Sequence, residues 1–408
     1  MVASDEFNRK QSYKLIITGL PIVQLTSGQA IGDNKVNAGF SLVDPDYLTH
    51  GGTLEVSSSI TIHLRGNTAR YQPKSPYDVG LVDAQGNDAD VSLLGLRSDN
   101  SWILDAMYID QARMRNRVCT DLWNSFNNVP YIASEPTALN GTRGYMTEVF
   151  LNNQYRGIYC LTEKVDRKQL QIKKSTGNMY KADNWSGQVM FKGVIPYDNT
   201  SDTWGAWELE YPDLGDNPAP NWKYLYDIVN FVATSSDVDF KSQIANKVDI
   251  DNIVDYYIFV NSIGAFDNLG KNTYFSFYSS TNNKFFYTMW DMDGTFGRMW
   301  DGSTSPSYTL LASDNNLVGR LLKLNPGNFI QKVKTRWNAL KSNQLSKSTV
   351  NSRIEVYKNL LINTNAFARE KAKWTNITQD LSTEAAYMES WYSSRYDQND
   401  VAINALGN

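Results

Sequence analysis

Apolar and polar residues alternate through the first half of the chain, in short runs separated by Gly, Asn and Pro turns, and this alternation predicts β-strands. "YKLIITGLPIVQLTS" (13–27) predicts one or two strands. "SITIHLRGN" (59–67) and "SPYDVGLVD" (75–83) predict a pair of strands joined by the loop between them. "GYMTEVFLNNQYRGIYCLTEKV" (144–165) predicts a hairpin that turns at Asn152 and Asn153.

One helix is predicted among these strands, over "MYIDQARMRNRVCTDLWNSF" (107–126), where apolar residues recur near a period of 3.6. From about 176 to 222 the chain reads as loop-rich, with scattered Gly, Asn, Asp and Pro. Its tryptophans could form a binding face for a partner, or they could pack the loop onto the body of the protein. These residues are Trp185, Trp204, Trp207 and Trp222.

The second half of the chain is predicted to be mostly helical. "NWKYLYDIVNFVATS" (221–235) and "IDNIVDYYIFVNSIG" (250–264) have helical spacing, and Gly264 is a natural residue to end the second helix. The helical pattern returns over 329–342 and persists to 406. The expected fold class is α+β, with an N-terminal antiparallel sheet that contains one main helix and a C-terminal part that is mostly helical.

Composition narrows the class of protein without naming a function. The chain has 408 residues, 41% hydrophobic and 20% charged, and a net charge of −4, which fit a globular protein and exclude the basic face of a nucleic-acid binder. No apolar run reaches membrane-spanning length. The many aromatic, Asn and Ser residues favour a secreted or cell-surface protein. The polar start "MVASDEFNRKQ" fits a cytoplasmic N-terminus or a mature region that lacks its leader.

Histidine and cysteine are scarce. The two histidines are His50 and His63, and His63 ends an alternating strand, so neither a Ser-His-Asp hydrolase nor a His-rich zinc site is expected. Cys119 and Cys160 could form one disulfide or remain two buried thiols.

Candidate chemistry concentrates around "WDMDGTFG" (290–297). "TYFSFYSS" (273–280) and "KFFYTMW" (284–290) predict a hairpin that turns near Asn282. Residue 272 should then lie opposite residue ~292, within a register step or two. The open end of the hairpin therefore brings Asn272 beside Asp291 and Asp293, with Asp267 a short loop away.

An oxygen-only cluster of this kind suits Mg²⁺ or Mn²⁺ and suits zinc poorly. Protein kinases use a similar order: a catalytic Asp, an Asn five residues later, a hairpin and a metal-binding Asp. Here the order is Asp267, Asn272, hairpin, Asp291. Each residue alone could be a turn or cap residue. Glycoside hydrolysis also needs two acids, but it does not explain Asn272.

The sequence resembles the spore-coat protein H (CotH) family of atypical secreted or surface kinases. Five stretches support this resemblance: "LRGNTARYQPKSPYDVGL" (64–81), "LRSDNSWILDAMYIDQARMRN" (96–116), "YRGIYCLTEKVDR" (155–167), "DNLGKNTYFSFY" (267–278) and "WDMDGTFG". The resemblance implies an atypical kinase-like fold of two lobes. We expect an extension over 1–13, a β-rich lobe over 14–167, and a helical lobe over 168–408 that includes the catalytic hairpin and an insertion at about 176–222.

The resemblance also implies roles for single residues. Asp267 matches the catalytic aspartate, and Asn272 and Asp291 match the metal ligands, with Asp293 as a second metal contact or a brace. Lys74 is the candidate phosphate-holding lysine, on the strand after the "RGN" loop. Its acidic partner is Asp110, on the predicted helix, or Glu148.

Two further residues are candidates for the nucleotide side. Arg65 could add positive charge near the phosphates, and Glu163 lies where a hinge would face the nucleotide. For Arg65 and Lys74 the alternative is a solvated surface position. For Glu163 the alternative is an ion pair at the joint between the two expected lobes.

The resemblance implies transfer of the γ-phosphate of ATP to protein Ser or Thr hydroxyls, with Mg²⁺ or Mn²⁺ in the cleft. The main alternative is a catalytically silent surface or coat protein of the same fold, which binds a protein or glycan through its aromatic loops. Neither nucleic acid nor a membrane-spanning segment is expected to be involved.

Overall fold

The computed structural model of the chain describes residues 2–4, 10–12, 16–216, 218–305, 310 and 312–407. At the N-terminus, β1 (Val2–Ser4) pairs antiparallel with β2 (Lys10–Ser12). The fold is α+β, as predicted.

Strands of the first half close into a barrel around an apolar core. They are β3 (Ile22–Thr26), β4 (Val36–Val43), β5 (Glu55–Leu64), β6 (Tyr77–Val82), β9 (Ser101–Asp105), β10 (Gly144–Leu151) and β11 (Gln154–Glu163), in the order β10-β11-β9-β6-β5-β4-β3. Between β6 and β9, β7 (Val91–Ser92) pairs with β8 (Ser98–Asp99), and α1 (Tyr47–His50) links β4 to β5. The alternation of each strand points apolar side chains such as Ile62, Val79 and Trp102 inward.

The strand pairs of the barrel are antiparallel, as predicted, except that β3 runs parallel to β10 and joins the two edges. Glu148 lies opposite Ile22 in this pairing. The predicted pair β5–β6 and the predicted hairpin β10–β11 are confirmed. The hairpin turns at Asn152 (φ 49°) and Asn153 (φ 63°), the two left-handed residues that a tight type I′ turn requires.

Helix α2 (Arg115–Asn124) is shorter than the predicted 107–126. Arg113 has a left-handed φ of 56°, which a continuous helix does not allow. The Asp110 carboxylate accepts the N–H groups of Ala112, Met114 and Arg115 at 2.7–2.9 Å. Asp110 therefore lies in the loop before the helix rather than on it.

A second sheet forms in the C-terminal half, partly from the stretch predicted to be loop. After α3 (Arg167–Leu170) come β12 (Asn178–Ala182), β13 (Thr203–Trp204), β14 (Trp207–Tyr211), β15 (Thr273–Phe277) and β16 (Phe286–Met289), in the order β13-β14-β12-β15-β16. Trp204, Trp207 and Trp222 are buried, so the packing interpretation holds for them. Trp185 is 37% exposed and lies on Phe266.

The remaining elements are helices. They are α4 (Lys223–Thr234), α5 (Asp237–Gln243), α6 (Ile250–Ile263), α7 (Asn316–Leu324), α8 (Phe329–Lys341), α9 (Lys347–Asn363), α10 (Ala366–Lys373) and α11 (Leu381–Asn404). Helix α6 ends at Gly264 (φ 68°), as predicted. In the described ranges no helix is both long enough and apolar enough to cross a bilayer.

Candidate active site

The hairpin β15–β16 sets the geometry of the site. Thr273 lies opposite Met289, and the Trp290 N–H donates to the Asn272 carbonyl at 3.2 Å. Asn272 is therefore opposite Trp290, two positions from the predicted partner and next to Asp291. The expected convergence of Asn272 and Asp291 at the open end of the hairpin is confirmed.

A buried asparagine closes this open end. The side-chain amide of Asn268 donates to the carbonyls of Asn272 (2.9 Å) and Trp290 (2.8 Å). Asn272 (φ 58°) and Asp291 (φ 54°) both have left-handed backbones, which are uncommon for residues other than glycine and cluster at functional sites. The Asn268 bonds stabilise the two strained residues side by side.

Asp267 begins the short 3₁₀ turn that follows α6. Its Oδ2 lies 3.2 Å from the Nζ of Lys271, and its side chain is 12% exposed. Because Gly264 stops the helix three residues earlier, the chain turns back and carries Asp267 to the mouth of the hairpin.

One cleft brings together six of the eight predicted site residues, between the barrel loop 65–76 and the second sheet. They are Arg65, Lys74, Asp267, Asn272, Asp291 and Asp293. Glu148 and Glu163 do not line it.

Loss of hydration and neighbouring carboxylates raise the pKa of Asp291 and of Asp293 in the cleft. Loss of hydration, followed by the charge of Asp105, raises the pKa of Asp291 to about 6, although its side chain still reaches the water of the cleft. Burial and the charge of Asp291 raise the pKa of Asp293 well above its ordinary value. A cation placed among these oxygens would offset this repulsion.

Arg65 supplies a free positive charge at the same place. Its guanidinium lies 5.4 Å from the centre of the Trp290 ring, and it makes no hydrogen bond or ion pair with the residues that the structure describes. Its donors therefore remain available to an anion in the cleft.

Lys74 lines the cleft, and the residues that bind its ammonium group lie outside the cleft. Its side chain is fully buried, in the loop before β6 rather than on the strand. Its Nζ lies 2.7 Å from Glu370 Oε1 and also donates to the Ile158 carbonyl. The acidic partner is thus Glu370 of α10.

Both predicted partners of Lys74 were wrong. Asp110 pairs with Arg115 at 2.5 Å, and it caps the start of α2. Glu148 is buried and accepts Arg369 at 2.7 and 2.8 Å and the Tyr155 hydroxyl. Each carboxylate is already satisfied by its own donors, and neither needs the lysine.

Glu163 is likewise a structural residue in this geometry. Its carboxylate is buried and accepts the backbone N–H of Arg143 at 2.8 Å and its guanidinium at 2.6 Å. It also accepts the Arg97 N–H at 3.3 Å. The placement of Glu163 facing a nucleotide was wrong, and the alternative of an ion pair describes it.

Comparison with known proteins identifies the family. The family model "CotH kinase protein" matches residues 62–398. The chain belongs to the CotH kinase protein family. It is also similar to the inner spore coat protein H of Bacillus subtilis (strain 168), with 23% identity over 266 residues. That match covers 64% of this chain and 66% of the relative, so the chain spans just under two thirds of that protein.

The structure adds residues to the CotH cleft that were not predicted. Asp105 ends β9, and its carboxylate accepts the Asn116 amide at 3.0 Å. Lys271 and Trp300 line the wall beside Asp267, and Lys181 lies on β12. Asp105 follows the apolar run "SWIL" (101–104) as Asp291 follows "FFYTMW" (285–290), so the same signal of a carboxylate at a strand exit was present.

The donor set fits a hard cation. In the described residues no three His, Cys, Asp or Glu side chains are grouped closely enough to hold a metal by themselves. Mg²⁺ in phosphoryl-transfer sites commonly takes only one or two carboxylates and completes its shell with substrate phosphates and water. Asn272 and Asp291 offer oxygen donors of that kind.

Proposed function

We propose that this protein transfers the γ-phosphoryl group of ATP to Ser or Thr hydroxyls of a protein acceptor, with Mg²⁺ or Mn²⁺. The observation that supports the proposal most directly is the convergence of Asp267, Asn272 and Asp291 in one cleft that also presents a free arginine, Arg65. Phosphoryl transfer asks a protein mainly to position its substrates and to neutralise charge, and these residue types can do both.

Asp267 is the proposed acceptor-side residue. Its carboxylate orients the acceptor hydroxyl and receives its proton as the phosphoryl group is transferred. Lys271, whose Nζ lies 3.2 Å from Asp267 Oδ2, places positive charge where the phosphoryl group passes.

Asn272 and Asp291 are the residues that would hold the metal, and Asp293 is a second contact or a brace. When bound, such a metal would neutralise the negative charge of the ATP phosphates. Arg65 binds phosphate oxygens from the barrel side. Lys74 contributes positive charge from the wall of the cleft, and Glu370 fixes its position.

The relative's name places it in a spore coat. A coat or surface location is therefore proposed for this chain too, with a protein of that layer as acceptor.

The test measures binding and transfer separately. Wild type, Asp267→Asn and Asp291→Asn are compared in thermal unfolding with a non-hydrolysable ATP analogue and Mn²⁺, and in labelling of dephosphorylated casein and of the chain itself from γ-labelled ATP. Wild type should gain about 2.7 kcal/mol at a ligand concentration of 100 Kd. Asp267→Asn should keep that gain and lose labelling, while Asp291→Asn should lose both.

The control is Asp227→Asn, which removes an exposed carboxylate that pairs with Lys223 on helix α4. It should match wild type in both measurements. Labelling that persists in Asp267→Asn and Asp291→Asn at the wild-type rate would disprove the proposal. A wild type that neither binds the analogue nor labels anything, but retains glycan or protein binding, would favour the catalytically silent alternative.

A further inference from the structure

The first turns of helix α11 pack against both acidic segments of the cleft. Glu384, Tyr387 and Trp391 are spaced i, i+3 and i+7, so they lie on one face of the helix. None of the three lines the cleft itself. They contact Gly264 before Asp267, Gly297 and Arg298 after Asp293, and Arg115 at the start of α2.

Glu384 is the polar centre of this face. Its side chain is 2% exposed, and Oε1 accepts Arg115 Nη2 at 2.6 Å. Arg298 donates to the two oxygens from Nε (3.0 Å) and Nη2 (2.9 Å). Arg298 comes directly after "WDMDGTFG", so Glu384 fixes the exit of that segment.

Arg115 extends the connection into the segment itself. Its Nε donates to the Thr295 carbonyl at 3.0 Å, and its Nη1 donates to Asp110 at 2.5 Å. The Thr295 hydroxyl donates in turn to the Met292 carbonyl at 2.8 Å, which closes the turn that contains Asp293. The guanidinium groups of Arg115 and Arg298 balance the carboxylates of Asp110 and Glu384 in charge, as a buried network requires.

Tyr387 and Trp391, on the same face of α11, pack against two glycines, Gly264 and Gly297. The Tyr387 hydroxyl donates to the Gly297 carbonyl at 2.9 Å. A β-carbon on Gly297 would lie 2.6 Å from the Trp391 ring, and one on Gly264 would lie 2.5 Å from the other end of that ring. The indole therefore fits between the residue that ends α6 before Asp267 and the residue that follows the Asp293 turn.

We infer that Glu384 is a positioning residue of the reaction: through Arg298 and Arg115 it holds segment 291–298 in the geometry in which Asp291 and Asp293 face the cleft. The inference rests on the proposed function for its catalytic consequence. Buried ion pairs are weak evidence for stability, because apolar packing of similar volume often stabilises as well. A network of this composition, joined to the segment that carries the acids, is better explained by the geometry it imposes.

The first test measures both turnover and nucleotide affinity in the same variant. Glu384→Gln retains the shape of the side chain but removes its charge. We expect kcat to fall about 10- to 100-fold, since a displacement of about 1 Å can cost this much, and KM for ATP to rise as well, because a displaced Asp291 no longer holds the metal proposed to bind the nucleotide. Arg298→Gln breaks the same connection from a half-exposed side and should reproduce the effect if Glu384→Gln does not fold.

The matched control is Asp255→Asn. Asp255 is also buried and also accepts an arginine through both oxygens, Arg336 at 2.7 and 3.1 Å, but it lies outside the cleft. If Asp255→Asn lowers kcat per folded molecule as much as Glu384→Gln, the network is only structural and the inference fails.

The second readout does not depend on activity. Backbone hydrogen exchange of segment 291–298 should rise at least about tenfold in Glu384→Gln and Arg298→Gln, and stay at the wild-type rate in Asp255→Asn. Unchanged exchange in both Glu384 and Arg298 variants would overturn the inference even in an active kinase. If wild type transfers no phosphate, the proposed function fails, and the exchange experiment still decides whether Glu384 holds the segment.

Discussion

The carboxylate of Glu370 lies against Gly157, in space that any other side chain would fill. A β-carbon on Gly157 would be 2.1 Å from Glu370 Oε2, and this oxygen accepts the Ile158 N–H at 2.7 Å. The other carboxylate oxygen accepts Lys74 at 2.7 Å and Arg113 at 2.8 Å. The glycine thus lets one buried carboxylate of α10 join strand β11 to the lysine at the cleft.

Gly157→Ala should therefore be strongly destabilising. The substitution adds a β-carbon at a left-handed φ of 108° and displaces Glu370 from its buried partners. We expect the free energy of unfolding to fall by about 3 kcal/mol or more, the cost of breaking a buried ion pair. Urea denaturation measures it.

The control for this prediction is Gly187→Ala, because a β-carbon at Gly187 would meet no atom within 4 Å. Its effect should stay within about 0.5 kcal/mol. Equal stabilities for the two variants would contradict the close approach of Glu370 to Gly157.

The charge of Lys74 predicts a pH dependence of stability. Burial lowers the pKa of Lys74 from 10.5 to about 8, against the opposing effect of Glu370. Between these two pH values the folded protein has released a proton that the unfolded chain still binds. The contribution of Lys74 to the free energy of unfolding is therefore lowest below pH 8 and rises with pH through that window, by at most about 1.4 kcal/mol per unit.

Comparison of wild type with Lys74→Met isolates this contribution, because the variant lacks the titrating group. The difference in unfolding free energy, wild type minus variant, should increase between pH 7.5 and 9.5 in urea titrations. A difference that stays constant with pH would show that Lys74 keeps its proton equally in both states.

Local patterns predicted the parts of the fold that depend on neighbouring residues. The hairpins β10–β11 and β15–β16 follow from alternation and turn residues within short windows, and the second of them placed Asn272 beside Asp291. Closure of the barrel could not be predicted in this way. It depends on a parallel pairing between β3 and β10, which places Ile22 opposite Glu148 across most of the sequence that forms the barrel.

The main errors of the sequence prediction concerned the partners of buried charged residues, again because those partners are distant in sequence. Lys74 and Glu370 are 296 positions apart, so no local pattern connects them. Glu148 was predicted as a possible partner of Lys74, and Glu163 as a hinge residue that could face the nucleotide. The partners are arginines, Arg369 and Arg143, and the strand pattern carries no information about them.

The two cysteines should be free and unreactive in the folded protein. Both are buried free thiols, and burial raises the pKa of Cys119 and of Cys160 to about 12. Since the thiolate is the reactive form, Ellman's reagent at pH 8 should label neither thiol in the native chain and both in urea. Rapid labelling without denaturant, or a mass two hydrogens lower without reductant, would contradict this placement.

Asn268→Ala tests whether the open end of the hairpin must be held for the site to work. The substitution removes the side-chain donor to the Trp290 carbonyl and one of the two donors to the Asn272 carbonyl, which should cost about 2 kcal/mol of stability. Because Asn272 and Asp291 are then no longer fixed side by side, the thermal stabilisation by ATP analogue and Mn²⁺ should shrink by more than the loss of stability alone explains. Asn283→Ala, in the exposed turn at the other end of the same hairpin, is the control and should keep the full ligand-induced shift. A full shift in Asn268→Ala as well would mean that the cleft binds nucleotide without this geometry.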